Sequence, residues 1–361
     1  MMYSPFRHIG SILGKKRPIH LTFFVTRKCN SKCPFCFYLK AADRQQSGQE
    51  LTLQEISRIS RSFGSLLWLA FSGGEIFLRE DLPEIAEIFY RQNRPAIILL
   101  PTNGLLPGRI REMTEQVLKH CPKSIIALKL SVDGIGDEHD RFRNTPGSFN
   151  KTVETYDLLK PLLDRYQNFE LGVNTVFSAF NQDSMDRIID HVSSMDRIKT
   201  HTISLIRGNL SDGSFAAVDM QKYRHAIERL EENLKNAETS KRYRFRGARI
   251  KAAQDIIQRN LIFRTAEEER RLIDCYAGEL NVVITEDGEV YPCEIVTQSL
   301  GNMRDYGYNI LKLLHSDLAR SVLKGIKDSR CYCTHECYMM TNILFNPALY
   351  PSIAKEYLKI S

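Results

Sequence analysis

Three cysteines on one short segment are the residues of this chain with the clearest chemistry. Cys29, Cys33 and Cys36 follow a β-rich run at 20–25 in a C-x3-C-x2-C pattern. Three thiolates on one loop can reach three corners of a cubane iron–sulfur cluster and leave its fourth iron open. A structural zinc site needs four ligands, and no fourth cysteine or histidine lies near this loop in the sequence. The pattern predicts a catalytic [4Fe–4S] cluster with one open iron.

A second group of cysteines lies near the C-terminal end of the chain. The group consists of Cys275, Cys293, Cys331, Cys333 and Cys337. Clustered thiols in a reducing compartment indicate a metal site rather than disulfides. Structural zinc is an alternative to an iron–sulfur cluster here, because tetrathiolate sites also suit zinc. Cys121 stands alone and is interpreted as a packing residue at a helix end.

Six strand-and-helix repeats must position the first three cysteines. The predicted strands are 20–25, 66–72, 96–100, 125–132, 169–176 and 200–206, and the helices between them are 52–63, 81–91, 109–119, 150–166 and 182–194. Such alternation predicts an α/β fold with a parallel sheet covered by helices. Six units fall short of the eight that close a full barrel, so we expect an incomplete (β/α)6 TIM-like barrel.

Changes in composition along the chain predict five regions. They are an N-terminal arm at 1–18, the barrel at 19–210, a helical connecting insertion at 211–270, a small cysteine-rich domain at 271–340 and a C-terminal tail at 341–361. The insertion contains amphipathic helices at 219–237 and 250–262, and the cysteine-rich domain contains a hairpin at 281–291. In the arm, Phe6, Ile9 and Leu13 share a helical face. We expect it to pack along the domain edge, with membrane-surface anchoring as the alternative.

Charge and hydropathy exclude several classes of protein. The net charge of +7 is mild for 361 residues and does not indicate nucleic-acid binding. No apolar run is long enough for a transmembrane segment, and basic residues interrupt any signal peptide, so a cytoplasmic location is expected. The basic stretch at 241–251 is interpreted as a solvated helix flank. The alternative is a surface that faces a phosphorylated or acidic substrate.

The cysteine loop resembles that of the radical S-adenosylmethionine (AdoMet) superfamily. Phe35 matches the aromatic residue that precedes the third cysteine in that family and lies along the adenine. Gly73, Gly74 and Glu75, after the second strand, resemble the family's Gly-Gly-Glu motif. Glycines allow close backbone approach, and the resemblance implies that Glu75 accepts a hydrogen bond from the methionine ammonium group.

Further polar residues follow the later strands of the predicted barrel. Asn103 follows strand three, and Ser131 and Asp133 at the end of strand four lie on one side by period two. The resemblance implies that Asn174 faces the ribose and that Arg143 pairs with the methionine carboxylate, with Arg207 a weaker case of the same kind. For the Asn-Gly and Asp-Gly segments, a simple turn is an equal alternative.

The C-terminal cysteines resemble the SPASM/Twitch auxiliary-cluster domains. Cys275 and Cys293, with Gly288 between them, match the opening C-x(9–15)-G-x4-C pattern. The full SPASM pattern has seven cysteines, so the smaller number here implies one auxiliary [4Fe–4S] cluster. Cys333 and Cys337 are expected as the second ligand pair. Cys331 is the spare thiol, although it could replace Cys333, and His335 is a less usual ligand.

The resemblance implies reductive cleavage of AdoMet to a 5′-deoxyadenosyl radical that takes a hydrogen atom from the substrate. We expect a small-molecule or sugar-type oxidoreductase or epimerase, served by an electron donor such as flavodoxin or ferredoxin. A peptide maturase acting on a ribosomal precursor is the alternative. It is disfavoured because only about 18 residues precede the barrel, too few for a leader-binding domain. A non-catalytic iron–sulfur protein is the remote alternative. Such a protein would not need a site for the methionine group, which the Gly-Gly-Glu motif implies.

Overall fold

The strands of the protein form one continuous sheet. The computed structural model describes residues 2–38, 48–208, 210, 212–235 and 247–360. Its strands are β1 His20–Thr26, β2 Trp68–Gly73, β3 Ile97–Thr102, β4 Ile125–Ser131, β5 Phe169–Phe177, β6 Thr200–Leu205, β7 Asn281–Ile284, β8 Glu289–Tyr291 and β9 Gly301–Asn302. Their order in the sheet is β6-β5-β4-β3-β2-β1-β7-β8-β9.

Helices cover the outer face of this sheet, and the last four of them follow β9 in the chain. They are α1 Gly10–Leu13, α2 Leu53–Ser62, α3 Leu82–Asn93, α4 Pro107–His120, α5 Asp137–Phe142, α6 Ser148–Leu159, α7 Leu162–Arg165, α8 Met185–Ser194, α9 Met220–Lys235, α10 Ala248–Glu268, α11 Ile310–Leu314, α12 Asp317–Asp328, α13 Glu336–Leu344 and α14 Tyr350–Lys359. None of the described helices is both long and apolar enough to cross a membrane.

The six predicted barrel strands are present and parallel. Each of β1–β6 pairs with its neighbour in sequence, and β6 and β1 do not pair with one another. The barrel is therefore incomplete, as predicted. Outward side chains such as Leu21, Ile98 and Leu128 are fully buried against the covering helices. The alternate positions point inward, where they line a cavity.

Local sequence explains where several of the covering helices begin or end. Thr52 and Glu55 form a capping box that starts α2. The single helix predicted at 150–166 is wrong, because α6 ends at Leu159 and α7 begins at Leu162. Pro161 separates them, since proline cannot donate the backbone hydrogen bond that a continuous helix needs. Cys121 caps the end of α4 and is fully buried, as predicted.

The C-terminal hairpin is part of the barrel sheet rather than of a separate layer. Strand β7 lies parallel to β1, with His20 opposite Asn281 and Phe23 opposite Ile284. Strands β8 and β9 then continue the sheet in antiparallel pairing. Arg27, just after β1, forms an ion pair of 2.6 Å with Glu286 at the hairpin turn. The cysteine-rich region is therefore fixed directly to the strand that leads into the first cysteine loop.

Both ends of the chain pack on this body. The tail forms α14, which contacts α10, and Ile360 after it is buried. In the arm, the Tyr3 backbone donates to the Lys123 carbonyl at 2.7 Å, and Arg7 donates to the Leu66 carbonyl. The arm therefore lies along the domain edge, as expected. Apolar contacts add to this attachment, since the Tyr3 ring lies 5.6 Å from the Tyr90 ring and Ile12 packs against a buried apolar cluster. The apolar side chains that share the predicted helical face remain exposed; these are Phe6, Ile9 and Leu13.

Candidate active site

The first cysteine loop lies at the carboxyl end of β1, where its thiols are half-buried. The Ser31 hydroxyl lies 3.1 Å from the Cys33 Sγ, and the Asn103 amide lies 4.0 Å from the Cys29 Sγ. Burial raises the pKa of Cys29 to about 11, and the charges of Glu75 and the neighbouring thiols also raise it. A thiolate in this position needs an electropositive partner to be stable. The loop therefore fits a bound iron cluster, which supplies that positive charge.

The Gly-Gly-Glu segment lies at the end of β2 and is hydrogen-bonded to the residues that lead into the cysteine loop. Its backbone amides donate to the carbonyls of Thr26 and Lys28 at 2.8 and 2.9 Å. A Cβ atom on Gly74 would lie 2.1 Å from the Lys28 carbonyl oxygen, and Gly73 has a φ of 116°. The glycines are thus required for approach to the protein's own backbone. This physical reason differs from the ligand approach that the sequence suggested.

Glu75 is a buried carboxylate that accepts hydrogen bonds from two loops. Its oxygens accept from the Thr102 hydroxyl at 2.9 Å and from the backbone amides of Asn103 at 2.8 Å and Phe77 at 3.2 Å. Burial raises the pKa of Glu75, and these hydrogen bonds oppose that rise. The Asn103 side chain also donates to Asn30 in the cysteine loop at 2.8 Å. Glu75 and Asn103 therefore lie together beside the cysteine loop.

Asp133 and Arg143 form a buried ion pair beside the same loop. The Arg143 guanidinium donates to the Asp133 carboxylate at 2.6 Å, and the Val176 amide donates to its other oxygen at 2.8 Å. Burial lowers the pKa of Arg143, but the charges of Cys33 and Asp133 more than offset it and raise the pKa. Of the two residues expected to face the pocket, Ser131 lines the barrel cavity and Asp133 does not. Strand β4 ends at Ser131, so the alternation does not reach residue 133.

The inward faces of β1–β6 line a cavity of about 270 Å³. Ser131 and Asn174 are among its lining residues, and Asn174 accepts a hydrogen bond of 3.0 Å from Ser204. Phe37, one residue after Cys36, also reaches the cavity. Phe35 instead packs against the ring of Phe142 at 4.1 Å, in an apolar cluster that contacts Cys33. The polar residues after several strands therefore share one space next to the cysteine loop.

Charged residues that the sequence did not single out line the same cavity. They are Lys129, Glu170, Asp255, Arg259, Glu294 and Glu336. Lys129 interrupts the apolar strand segment 125–130, and this signal could have identified it. The solvated-flank interpretation of 241–251 is wrong for Lys251, which lines the cavity and is only 14% exposed in its side chain. Residues 241–246 of that stretch lie outside the described part of the chain.

Four of the five C-terminal cysteines line a second, smaller cavity of about 70 Å³; they are Cys275, Cys293, Cys331 and Cys333. Cys337 lines the barrel cavity instead. The expected pairing of Cys333 with Cys337, with Cys331 as the spare thiol, is therefore not the grouping in the structure. His335 caps the start of α13 by accepting from the Cys337 amide at 3.1 Å, so Cys337 belongs to that helix.

The four thiols that line the smaller cavity surround a space rather than converge on a point. Among the described residues, no three His, Cys, Asp or Glu side chains are close enough to hold a single metal ion. A mononuclear zinc ion needs its ligand sulfurs at about 2.3 Å. A cubane cluster is larger than a single ion, because each thiolate binds a different iron. The arrangement of the second group fits a cluster better than it fits zinc.

Arg207, just after β6, contacts both cysteine-containing regions, because its guanidinium lies over the Phe37 ring at 5.8 Å as well as beside two C-terminal acids. Its guanidinium lies 3.4 Å from Glu294 and 3.2 Å from Glu336, which are adjacent to Cys293 and Cys337 in the sequence. Glu294 is also hydrogen-bonded to His335. Burial raises the pKa of Glu294, but His335 and Arg207 lower it to about 2. The sequence-based role of Arg207 as a carboxylate partner for AdoMet is therefore replaced by this protein-internal network.

Comparison with known protein families agrees with this geometry. Residues 23–204, half of the chain, match the model of the radical SAM superfamily. The chain belongs to the radical SAM superfamily. Residues 275–338, which include all five C-terminal cysteines, match the SPASM iron–sulfur cluster-binding domain. As a radical SAM enzyme with a SPASM domain, the protein uses AdoMet and [4Fe–4S] clusters, in agreement with the sequence-based prediction.

Individual relatives have diverse activities. The chain is 25% identical to the AdoMet-dependent heme synthase of Methanosarcina barkeri over 80% of both chains. It is 27% identical to the subtilosin biosynthesis protein AlbA of Bacillus subtilis over 79% of this chain and 57% of AlbA. The solved structure of anSMEcpe with bound AdoMet has a TM-score of 0.62 at 18% identity, over 95% of this chain and 96% of anSMEcpe. The last similarity shows the shared fold.

Proposed function

We propose that this radical SAM enzyme is an oxidoreductase or epimerase that removes a hydrogen atom from a small molecule held inside its barrel. The observation that supports this proposal is the cavity of about 270 Å³, which begins next to the cysteine loop and continues into the barrel. Helices α10 and α13 contribute Lys251, Arg259 and Cys337 to its walls. A cavity of this size, walled by the barrel and by helices, suits a compact ligand better than an extended peptide.

Cys29, Cys33 and Cys36 would hold the cluster, and Glu75 and Asn103 would fix the loops around it. When bound, the cluster and AdoMet supply the 5′-deoxyadenosyl radical that takes hydrogen from the substrate. The Asp133 carboxylate keeps Arg143 charged and oriented, so that this guanidinium can bind the carboxylate of a methionine group. The family resemblance assigns the remaining AdoMet contacts to Phe35, Gly73, Gly74, Ser131 and Asn174, of which Ser131 and Asn174 line the barrel cavity. The surrounding walls exclude water from the reacting groups.

We also propose that Cys275, Cys293, Cys331 and Cys333 hold the auxiliary cluster. These four thiols line one cavity, and burial raises the pKa of Cys293 to about 12 and that of Cys333 to about 11. Bound iron would offset this cost by stabilising the thiolates. Cys337 lines the barrel cavity and is not among the proposed ligands of the auxiliary cluster.

Release of 5′-deoxyadenosine tests the reaction. Anaerobic, cluster-reconstituted protein is given AdoMet and dithionite, and the nucleoside is quantified by chromatography. We expect release by the wild-type protein and by Cys121→Ala, whose thiol lies apart from both cysteine groups, and none from Cys33→Ala. An intact cluster without 5′-deoxyadenosine in the wild type would instead support a non-catalytic iron–sulfur protein.

A peptide maturase is the second candidate, because the relative AlbA is a bacteriocin biosynthesis protein. The two candidates differ in what stimulates 5′-deoxyadenosine release. Stimulation by the small-molecule fraction of a cell extract, unchanged by protease treatment, supports the first candidate. Stimulation only by a peptide fraction, lost on protease treatment, would overturn it in favour of the maturase.

A further inference from the structure

Lys129 occupies an unusual position inside the barrel. It lies on β4 among apolar residues, and its side chain enters the cavity. The ammonium group donates to the Thr200 hydroxyl at 2.5 Å and, more weakly, to the Thr202 hydroxyl at 3.4 Å and the Thr200 carbonyl at 3.5 Å. These acceptors are neutral, and burial lowers the pKa of the Lys129 ammonium to about 7 against the opposing charges of Asp255 and Glu170. Such a charge is costly unless an anion compensates it.

The neighbouring strand contains a gap that accommodates this side chain. In the sheet register, Gly172 of β5 lies between Lys129 of β4 and Thr200 of β6. A Cβ atom at position 172 would lie 2.6 Å from the Lys129 Nζ and 2.2 Å from the Thr200 Oγ1. The lysine therefore crosses β5 over a residue that has no side chain. The sequence of three strands is adapted to hold this ammonium group in the cavity.

A second cation lines the same cavity. Arg259 lies on α10, and its Nη1 is buried without a hydrogen-bond partner among the described residues. Two acids are near Lys129, but neither forms an ion pair with it in the described part of the chain. Asp255 pairs with Lys251, and both acids act on Lys129 through their charges, Asp255 more strongly. The unpartnered Nη1 of Arg259 and the two long contacts of Lys129, at 3.4 and 3.5 Å, therefore leave donors from which a bound anion can accept.

We infer that Lys129 and Arg259 bind an anionic group of the substrate, a carboxylate or a phosphate, inside the barrel. This inference rests on the proposed function, because it identifies the substrate class of the same cavity. Lys129 and Ser131 are two residues apart on β4, a separation of about 7 Å along a strand. An anion bound at Lys129 would place the rest of a small substrate toward the cysteine loop, where hydrogen is removed.

Calorimetric titration of the reconstituted holoenzyme tests this inference without requiring turnover. The probes are inorganic phosphate and succinate, each at constant ionic strength set with sodium chloride so that screening is equal. We expect saturable binding of at least one probe, weakened about tenfold or more in both Lys129→Met and Arg259→Met, because charged hydrogen bonds are lost. Preference for one probe identifies the anion as a phosphate or a carboxylate.

Lys151→Met is the matched control, since it removes one positive charge from an exposed helix position. It should bind both probes as the wild type does. Iron content and circular dichroism establish that each variant is folded, and Arg259→Met keeps the test decisive if Lys129→Met does not fold. Wild-type affinity in the folded cavity variants, or no saturable binding of either probe to the wild type, would overturn the inference. Because binding is measured directly, a protein that binds anions but releases no 5′-deoxyadenosine would contradict only the proposed function.

Discussion

Separate replacement of Cys331 and Cys337 by alanine distinguishes the grouping of thiols in the structure from the pairing that the sequence suggested. The measurement is sharpest in a background in which Cys29, Cys33 and Cys36 are already alanine, because only the auxiliary site then binds iron. That background should retain about four iron atoms per chain, the content of one cubane cluster. Cys331 lines the small cavity with the other three thiols, whereas Cys337 lines the barrel cavity.

Adding Cys337→Ala to this background should leave the iron content at about four atoms per chain. Adding Cys331→Ala should remove most of that iron or leave a cluster with one non-cysteine-ligated iron, which Mössbauer spectroscopy resolves. Iron and acid-labile sulfide are quantified after anaerobic reconstitution and desalting. Cys293→Ala serves as the positive control for ligand loss. Loss of iron on replacing Cys337, with retention on replacing Cys331, would refute the grouping of the four thiols.

Two further predictions concern ion pairs that connect the elements around the site. Asp133→Asn should destabilise the protein by about 3 kcal/mol, because it leaves the buried Arg143 without its carboxylate. In thermal unfolding, the double variant with Arg143→Met should lose less than the sum of the single variants, and simple additivity would contradict the coupling. The hydrogen bond from Arg304 lowers the pKa of Glu55 to about 2, against an ordinary value of 4.5. The depressed pKa contributes stability above pH 4.5 that is lost as the pH falls toward 2. Glu55→Gln should therefore lower stability by about 1 kcal/mol near neutral pH, since the pair is partly solvent-exposed. The difference in melting temperature from the wild type should shrink at pH 3.5, and a difference independent of pH would contradict this account.

The strands of the barrel could be predicted from sequence because each has a local signal. Short apolar runs alternate with amphipathic segments, and the predicted strands agree with the observed ones to within two residues at either end. The position of the C-terminal hairpin had no such signal. Its attachment depends on parallel pairing between β1 and β7, whose residues are more than 250 positions apart in the chain, as for His20 and Asn281. Local patterns do not contain information about pairing at this separation.

The candidate site shows the same division between local and long-range information. The spacing of Cys29, Cys33 and Cys36 places three thiols on one loop, so their proximity follows from sequence alone. The partners of Cys331 and Cys337 depend on where α13 begins, and this helix starts after His335. Lys129 was overlooked because its role depends on Gly172 and Thr200 in two other strands. The charge of Lys129 within an apolar strand is a local signal, but the environment of such a residue becomes clear only when the register of the sheet is known.

The two cysteine regions are connected by contacts that make them one structural unit. Strand β1 leads into the first cysteine loop, and β7, paired with β1, continues through the hairpin to Cys293. Glu286 at the hairpin turn binds both Arg27 and Tyr38, which lie on either side of the cysteine loop in the sequence. Because backbone pairing and buried polar contacts join the two regions, an independent movement of the SPASM domain would have to break them. The separation of the two thiol groups is therefore set by the sheet, and the ion pairs of Arg207 with Glu294 and Glu336 lie at the wall of the barrel cavity.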